Sequence, residues 1–236
     1  MTLFDEERSP SARYDAPNAL VIYGGGGHGK AIIELVRALG IYRLVGVVDD
    51  GLPVGGTVMG LPVLGGASIL PALADQGVRQ VVNAVGGIGN VAIRIKVFDE
   101  IAQAGLVCPA VVHPTAFVEA SACLDGGIQI LALSYVSSEA RIGFGTVINA
   151  GVVVSHDCTI GQVVNLSPGA MLAGGVILED FVQIGMGATI NLGIRIGKGA
   201  RIGNSATVKN DVPAGQVVRA GTIWPIPAPA LSVRKT

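Results

Sequence analysis

The segment that decides the fold runs from residue 148 to residue 172 and reads INAGVVVSHDCTIGQVVNLSPGAML. An aliphatic residue stands at every sixth position of this segment: Ile148, Val154, Ile160, Leu166 and Leu172. The same spacing continues without a break from Val112 to Val208, over seventeen successive positions. A period of six is neither the period of about 3.6 of a helix nor the alternation of a strand. It is typical of a chain wound into stacked coils, in which each hexapeptide contributes one short strand.

Small residues flank the aliphatic position in most of these hexapeptides. Ala, Ser or Thr usually stands two positions before it, and Gly often follows it directly, as in Gly143, Gly161, Gly185, Gly197 and Gly203. Tight corners between short strands leave little room for a side chain. We therefore predict a parallel β-helix over residues 110–215, followed by a C-terminal tail at residues 216–236.

Composition narrows the class of protein. Half of the 236 residues are hydrophobic and 14% are charged, but no run of about 18 apolar residues predicts a membrane span. The net charge of −1 gives no broad electrostatic reason to bind nucleic acid or anionic lipid. The three cysteines lack a CxxC spacing, so neither a zinc site nor a disulfide framework is indicated. Residues 1–18 lack the apolar core of a signal peptide and are predicted to be a flexible extension of a cytoplasmic protein.

Residues 19–109 follow a different pattern. Strands are predicted at 19–23, 44–48 and 81–85, and helices at 31–39 and 91–104, so that strands and helices alternate. The first helix is predicted to stop at Gly40, a usual C-terminal signal. This order predicts a small Rossmann-like α/β domain.

A glycine-rich loop follows the first predicted strand. Gly24, Gly26 and Gly29 satisfy the pattern G-x-G-x-x-G, and Asp49 follows twenty residues later, at the end of the next strand. In this context the helix N-terminus offers N–H groups to a diphosphate, and the acid can bind a ribose hydroxyl. Three interpretations stay open: a nucleotide-sugar site, a dinucleotide site and a purely structural turn. His28 within the loop is a candidate ligand contact or a loop cap.

His156 and Asp157 are the most prominent polar pair of the predicted β-helix. In the register set by Val154 and Ile160, His156 falls two residues after an interior position, so its side chain should point outward. An imidazole can take up a proton at cellular pH, and an adjacent carboxylate can orient it. The alternative is a surface ion pair at a subunit boundary. His113, which precedes Pro114, is interpreted as structural.

Several segments together resemble one family. They are Ile22–Lys30, Val47–Asp50, Ala84–Asn90, His113–Ala116, Ser155–Gly161, Ala173–Val176 and Ile184–Ala188. The chain from about Leu20 to Gly215 resembles the hexapeptide-repeat acetyltransferases that act on bacterial sugars. Within them it is most similar to the bacillosamine and perosamine N-acetyltransferases, grouped with sialic acid O-acetyltransferases. This resemblance implies a left-handed β-helix and a homotrimer.

The resemblance also implies roles for particular residues. The N-terminal domain would hold the nucleotide part of a nucleotide-linked amino sugar through Gly26, Gly27, His28, Asp49, Asp50 and Gly86. His156 would be the general base and Asp157 its partner. Acetyl-CoA would lie in the groove between adjacent β-helices, near Asn165, Gly174, Met186 and Asn204. The family histidine after the base is replaced here by Asn165, and the family G-x-P-A-[KR] ending is absent. No metal is implied.

Three hypotheses follow for the function. The leading one is an acetyl-CoA-dependent N-acetyltransferase for a nucleotide-linked 4-amino-4,6-dideoxy sugar, with direct transfer assisted by His156 and with Cys158 pointing inward. The second keeps the fold but makes the acceptor a hydroxyl, as in sialic acid O-acetylation. The third is a nucleotide-binding trimeric scaffold that has lost acyl transfer.

Overall fold

The computed structural model of the protein describes Tyr14, residues 16–89 and residues 91–225. The described residues form two compact units. The first holds those up to Pro114 together with Asp125–Gln129, and the second holds Thr115–Leu124 and those from Ile130 onward. Most of the predicted extension at 1–18 and the end of the predicted tail, from residue 226, lie outside the described residues.

The first unit is an α/β domain, as predicted. Its five-stranded sheet has the order β3-β4-β2-β1-β5. Its strands and helices are β1 (Ala19–Tyr23), α1 (Gly27–Leu39), β2 (Arg43–Val48), β3 (Thr57–Val58), β4 (Leu61–Gly65), α2 (Leu70–Asp75), β5 (Gln80–Asn83), α3 (Val91–Gln103) and β6 (Val111–Val112). The hairpin of β3 and β4 and helix α2 were not predicted from the sequence.

Strand β1 lies at the centre of this sheet and positions the glycine loop. All five of its residues are buried, as in a parallel strand covered on both faces. It pairs in parallel with β2 on one side and β5 on the other. The loops that follow these three strands therefore meet at one edge of the sheet, the usual position of a ligand crevice in this architecture.

The second unit is a left-handed β-helix, as predicted. Each strand is two residues long, and the strands as far as Thr189–Ile190 pair in parallel with the strand one full coil of 18 residues later, as Tyr135 pairs with Val153. The strands are β7 (Phe117–Val118), β8 (Cys123–Leu124), β9 (Gln129–Ile130), β10 (Tyr135–Val136), β11 (Arg141–Ile142), β12 (Val147–Ile148), β13 (Val153–Val154), β14 (Thr159–Ile160), β15 (Asn165–Leu166), β16 (Met171–Leu172), β17 (Ile177–Leu178), β18 (Gln183–Ile184), β19 (Thr189–Ile190), β20 (Arg195–Ile196), β21 (Arg201–Ile202), β22 (Thr207–Val208), β23 (Val217–Val218) and β24 (Ile223–Trp224).

Three sheets form the sides of this β-helix. Their orders are β24-β22-β19-β16-β13-β10-β7, then β20-β17-β14-β11-β8, and, within this unit, β23-β21-β18-β15-β12. The sixfold aliphatic residues fill the interior, where Val154, Leu166 and Ile184 are completely buried. At the corners, a β-carbon on Gly143 would lie 2.7 Å from the backbone of Gly161 in the next coil, so a side chain there would clash.

Paired strands continue past Gly215, where the sequence analysis placed a tail. Arg201 pairs with Val217 and Thr207 with Ile223, so these coils are 16 rather than 18 residues long. The interior register moves from Val208 to Val212 in four residues and then resumes its period of six at Val218. Because of this shorter step, the sixfold pattern ends at Val208 and did not predict the last two strands.

Candidate active site

His156 lies on the turn between β13 and β14 with its side chain 62% exposed. Its outward orientation agrees with the phase of the repeat. The Nδ1 atom lies 2.7 Å from Oδ2 of Asp157, whose backbone has a left-handed φ of 60°. The turn is held by the coils on either side: Asp157 N–H donates to Ser138 O, and Gly175 N–H donates to His156 O. The imidazole is therefore both exposed and oriented.

Gly174 lies against the imidazole in the next coil. A β-carbon at this position would lie 2.5 Å from Cε1 and 2.6 Å from Nε2 of His156. The carbonyl of Gly174 accepts a hydrogen bond from Gly193 N–H, whereas within the described residues its own N–H has no partner. A small residue with a free backbone donor thus lies beside Nε2.

Cys158 follows the pair and points into the β-helix, as predicted. It is completely buried, and its thiol donates to the carbonyl of Ala173 over 3.3 Å. Burial raises the pKa of this thiol above its ordinary value. A buried, protonated thiol is a poor acyl acceptor.

Met186 and Asn204 meet at a different corner of the β-helix. Met186 N–H donates to Asn204 Oδ1 over 2.9 Å, and Met186 is about half exposed. This corner joins β18 to β19 and β21 to β22, whereas His156 and Gly174 occupy the corner that joins β13 to β14 and β16 to β17. Asn165 lies on β15 and is nearly buried, with Nδ2 3.2 Å from Ser167 Oγ. Within one chain, Met186, Asn204 and Asn165 therefore do not lie at the same corner as His156.

The glycine loop of the first unit depends on two glycines. Gly24 has a φ of 114°, and its missing side chain leaves room for the backbone of Ala84. Gly29 packs against the carbonyl of Gly24, where a β-carbon would clash. Gly26 and Gly27 instead face open space at the start of α1. The loop therefore presents the N–H groups of a helix N-terminus, a favourable position for an anion.

The two acids after β2 make hydrogen bonds within the domain. Asp49 accepts Gly25 N–H at Oδ2 (2.7 Å) and Gly51 N–H at Oδ1 (2.8 Å). Asp50 accepts Ala67 N–H at Oδ1 and the Tyr23 hydroxyl at Oδ2, both at 2.8 Å. These two donors hold the pKa of Asp50 below its usual range. Asp49 thus braces the glycine loop, and each carboxylate oxygen keeps a second lone pair for a ligand.

His28 and Gly86 lie side by side near this loop. A β-carbon on Gly86 would be 3.9 Å from the β-carbon of His28. The His28 Nε2 atom lies 2.8 Å from Oε1 of Gln129, a partner that the sequence analysis did not anticipate. Burial lowers the pKa of His28.

A pocket of about 690 Å³ opens beside the glycine loop. Its lining includes Gly25 from the loop, Lys30 and Glu34 from α1, and Thr57 and Met59 from the hairpin of β3 and β4. This pocket was not predicted from the sequence because the hairpin of β3 and β4 that lines it was not predicted either. Among the described residues, no group of three or more His, Cys, Asp and Glu side chains could hold a metal ion. No described helix is long and apolar enough to cross a bilayer.

Comparison with known proteins adds independent findings. Residues 19–101 match the PglD N-terminal domain family. The chain is 33% identical over 176 residues to the GDP-perosamine N-acetyltransferase of Escherichia coli O157:H7, an alignment that covers 72% of this chain and 76% of that protein.

Solved structures agree with this relationship. PerB from Caulobacter crescentus in complex with CoA and GDP-perosamine is similar with a TM-score of 0.80 and 32% identity, over 86% of this chain and 95% of that one. The acetyltransferase domain of PglB from Neisseria gonorrhoeae in complex with acetyl coenzyme A gives a TM-score of 0.79 and 31% identity, over 88% of this chain and 98% of that one. The chain therefore belongs to the hexapeptide-repeat sugar acetyltransferases, a family of acyltransferases.

Proposed function

We propose that this protein transfers the acetyl group of acetyl-CoA to the amino group of a nucleotide-linked 4-amino-4,6-dideoxy sugar. The observation that carries the proposal is the exposed His156 imidazole, which is hydrogen-bonded through Nδ1 to Asp157 and packs against Gly174. It occurs in a chain whose similar proteins include a GDP-perosamine N-acetyltransferase and an enzyme crystallised with CoA and GDP-perosamine. GDP-perosamine is a nucleotide-linked amino sugar, which is why the acceptor is proposed to be an amine.

His156 is the proposed general base. Because the Asp157 carboxylate accepts a hydrogen bond from His156 Nδ1, the neutral ring carries its hydrogen on Nδ1. The lone pair of Nε2 is then free. Nε2 takes the proton from the sugar amine as its nitrogen attacks the thioester carbon. The new carbon–nitrogen bond forms, the carbon–sulfur bond breaks, and the proton passes to the departing CoA sulfur. A positioned base of this kind contributes ~10²–10⁴-fold to the rate.

Gly174 is the proposed donor to the oxyanion. Its N–H has no partner among the described residues, and Gly174 itself packs against the imidazole that would activate the amine. A single preorganised donor to a developing oxyanion is worth roughly 3–4 kcal/mol in well-studied enzymes. The burial of Cys158 supports direct transfer rather than an acyl-cysteine intermediate.

The first unit is proposed to hold the nucleotide. The start of α1 offers the N–H groups of Gly26 and Gly27 to a diphosphate, and Asp49 and Asp50 lie at the same edge of the sheet. Gly86 and His28 border this edge from the loop after β5 and from α1. The pocket lined by Lys30 and Glu34 is proposed to receive the rest of the nucleotide.

The proposed working assembly is a homotrimer. His156 with Gly174 and Met186 with Asn204 occupy separate corners of one β-helix. A CoA groove bordered by both corners forms when the His156 corner of one chain faces the Met186 corner of its neighbour. This is the head-to-tail contact of a cyclic assembly. Asn165 is proposed to border the same groove.

The proposal is tested by following CoA release with a panel of acceptors. Purified protein and acetyl-CoA are combined with GDP- and UDP-linked 4-amino-4,6-dideoxy sugars, with their 4-hydroxy counterparts and with free sialic acid. We expect turnover with at least one nucleotide amino sugar and none with its hydroxyl counterpart. Acetylation of sialic acid alone would instead establish an O-acetyltransferase, and the absence of CoA binding by calorimetry would point to a scaffold.

A further inference from the structure

Gln129 is buried at a position where the β-helix repeat turns side chains outward. It stands one residue before the interior Ile130, yet it has no exposed surface. Gln129 belongs to the first unit, and its side-chain amide contacts two further groups of that unit: Nε2 donates to Asn83 O over 2.6 Å, and Oε1 lies 2.8 Å from His28 Nε2. A buried amide whose two ends are both hydrogen-bonded constrains what each partner must be.

The hydrogen positions of this group follow from donor and acceptor chemistry. The carbonyl of Asn83 can only accept, so the nitrogen end of the Gln129 amide must face it. The oxygen end then faces His28 and can also only accept. His28 must therefore carry a hydrogen on Nε2, and in the neutral ring Nδ1 bears the lone pair.

The environment of His28 favours the neutral ring. Burial lowers its pKa, and the positive charge of Arg94 acts in the same direction, against the hydrogen bond with Gln129. A neutral imidazole is a poor partner for a diphosphate. It is suited instead to accept a hydrogen bond from a hydroxyl or an N–H group.

The Asn83 carbonyl that accepts the hydrogen bond from Gln129 is itself held in place by Arg94. Arg94 Nη1 donates to Asn83 O (2.9 Å) and to Val85 O (2.7 Å), and Asn83 Nδ2 donates back to Arg94 O (2.9 Å). Asn83 and Arg94 are both 1% exposed. The carbonyl that orients Gln129 is therefore fixed at the end of β5, just before Gly86.

We propose that Gln129 is a positioning residue that holds His28 as the Nε2–H tautomer, so that Nδ1 accepts a hydrogen bond from the nucleotide sugar. The donor on the ligand is a hydroxyl or N–H group and not the diphosphate. His28 lies beside Gly86, where the glycine loop and the loop after β5 come together. The ligand part of this inference rests on the proposed function, whereas the tautomer does not.

The test combines nitrogen NMR with steady-state kinetics on the full-length protein. In the wild type, ¹⁵N-labelled histidine should show His28, assigned by its loss in His28→Asn, as the Nε2–H tautomer. In Gln129→Leu the Nε2–H preference should be lost, and in Gln129→Glu the new carboxylate should favour the doubly protonated ring, which has no acceptor. For both variants KM for the nucleotide amino sugar should rise about 10-fold, on the order of one lost hydrogen bond, with kcat and the KM for acetyl-CoA within twofold.

Gln103→Glu, at the exposed end of α3, makes the same charge change away from His28 and should leave all these values unchanged. An Nδ1–H tautomer in the wild type would overturn the positioning role, and an unchanged KM in both Gln129 variants would overturn the ligand contact. If no acceptor in the panel is acetylated, the proposed function and the ligand contact both fail, while the His28 spectrum still decides whether Gln129 sets the tautomer.

Discussion

The imidazole of His156 lies so close to Gly174 that a β-carbon on the glycine would be 2.6 Å from Nε2. The same corner position carries His156 itself in the coil before and Leu192 in the coil after. The backbone of this corner therefore accepts full side chains. Glycine is needed at residue 174 because the imidazole occupies the space that a side chain would fill.

Replacing Gly174 by alanine should impair catalysis and spare the fold. The new methyl group must push the exposed imidazole away from its place, and a displacement of about 1 Å can cost ~10²-fold in rate. We expect kcat to fall roughly 10- to 100-fold while the melting temperature changes little, measured by CoA release and by thermal unfolding. The double variant His156→Ala/Gly174→Ala should be no slower than His156→Ala alone, because the methyl group then has nothing to displace. Additive losses would contradict this explanation.

Asp157→Asn should lower kcat while keeping the turn intact. Asparagine tolerates the left-handed backbone of residue 157 and can still accept the hydrogen bond from Nδ1. Only the negative charge that stabilises the protonated ring is lost. Since the pair is more than half exposed, we expect a loss of about 10-fold in kcat. Wild-type kcat would show that the negative charge of Asp157 makes no contribution to catalysis.

Cys158→Ala should retain activity. Alanine occupies the equivalent buried position, two residues before the interior aliphatic residue, in other hexapeptides, including those of Ala140, Ala170 and Ala188. We expect kcat within about threefold of the wild type and a loss of about 1 kcal/mol in the free energy of unfolding, as for one buried methyl-sized group. Mass spectrometry after mixing with acetyl-CoA should detect no acetylated cysteine. An acetyl group on Cys158, together with an inactive alanine variant, would contradict direct transfer.

Most of the fold could be predicted because a repeated physical constraint marks it in the sequence. Each interior position of the β-helix needs an aliphatic side chain, so the sixfold pattern located the strands from Val112 to Val208 and the outward phase of His156. The last strands were missed because four residues, not six, separate Val208 from Val212. The series Val212, Val218 and Trp224 is the signal that could have found them.

The partners of individual side chains were less accessible to sequence reasoning. The ends of β1 and β2 indicated that Asp49 lies near the glycine loop, and Asp49 accepts the Gly25 N–H of that loop. They could not predict that Asp50 accepts Ala67 N–H, because that contact depends on the turn after the unpredicted strand β4. Gln129 was missed for a related reason: an outward position of a β-helix gives no sign of burial until the group that covers it is known.

Mixed assemblies test the shared site. His156→Ala and Met186→Lys each damage one corner, so each homotrimer should be nearly inactive. When the two variants are unfolded and refolded together at equal amounts, about a quarter of the sites should pair two undamaged corners and regain activity, since a head-to-tail cyclic contact joins different surfaces of two chains. Light scattering should give three times the chain mass of 23.9 kDa. A monomer, or mixtures as inactive as their parents, would contradict the proposed trimeric site.

The role of His156 is tested most directly by the kcat of His156→Asn at saturating acetyl-CoA and nucleotide amino sugar. Asparagine is similar in size to part of the ring but cannot take up a proton at neutral pH. With His156 as the general base, kcat should fall ~10²–10⁴-fold while both KM values stay within a few-fold of the wild type. A variant that turns over within a few-fold of the wild-type rate would show that another group removes the proton.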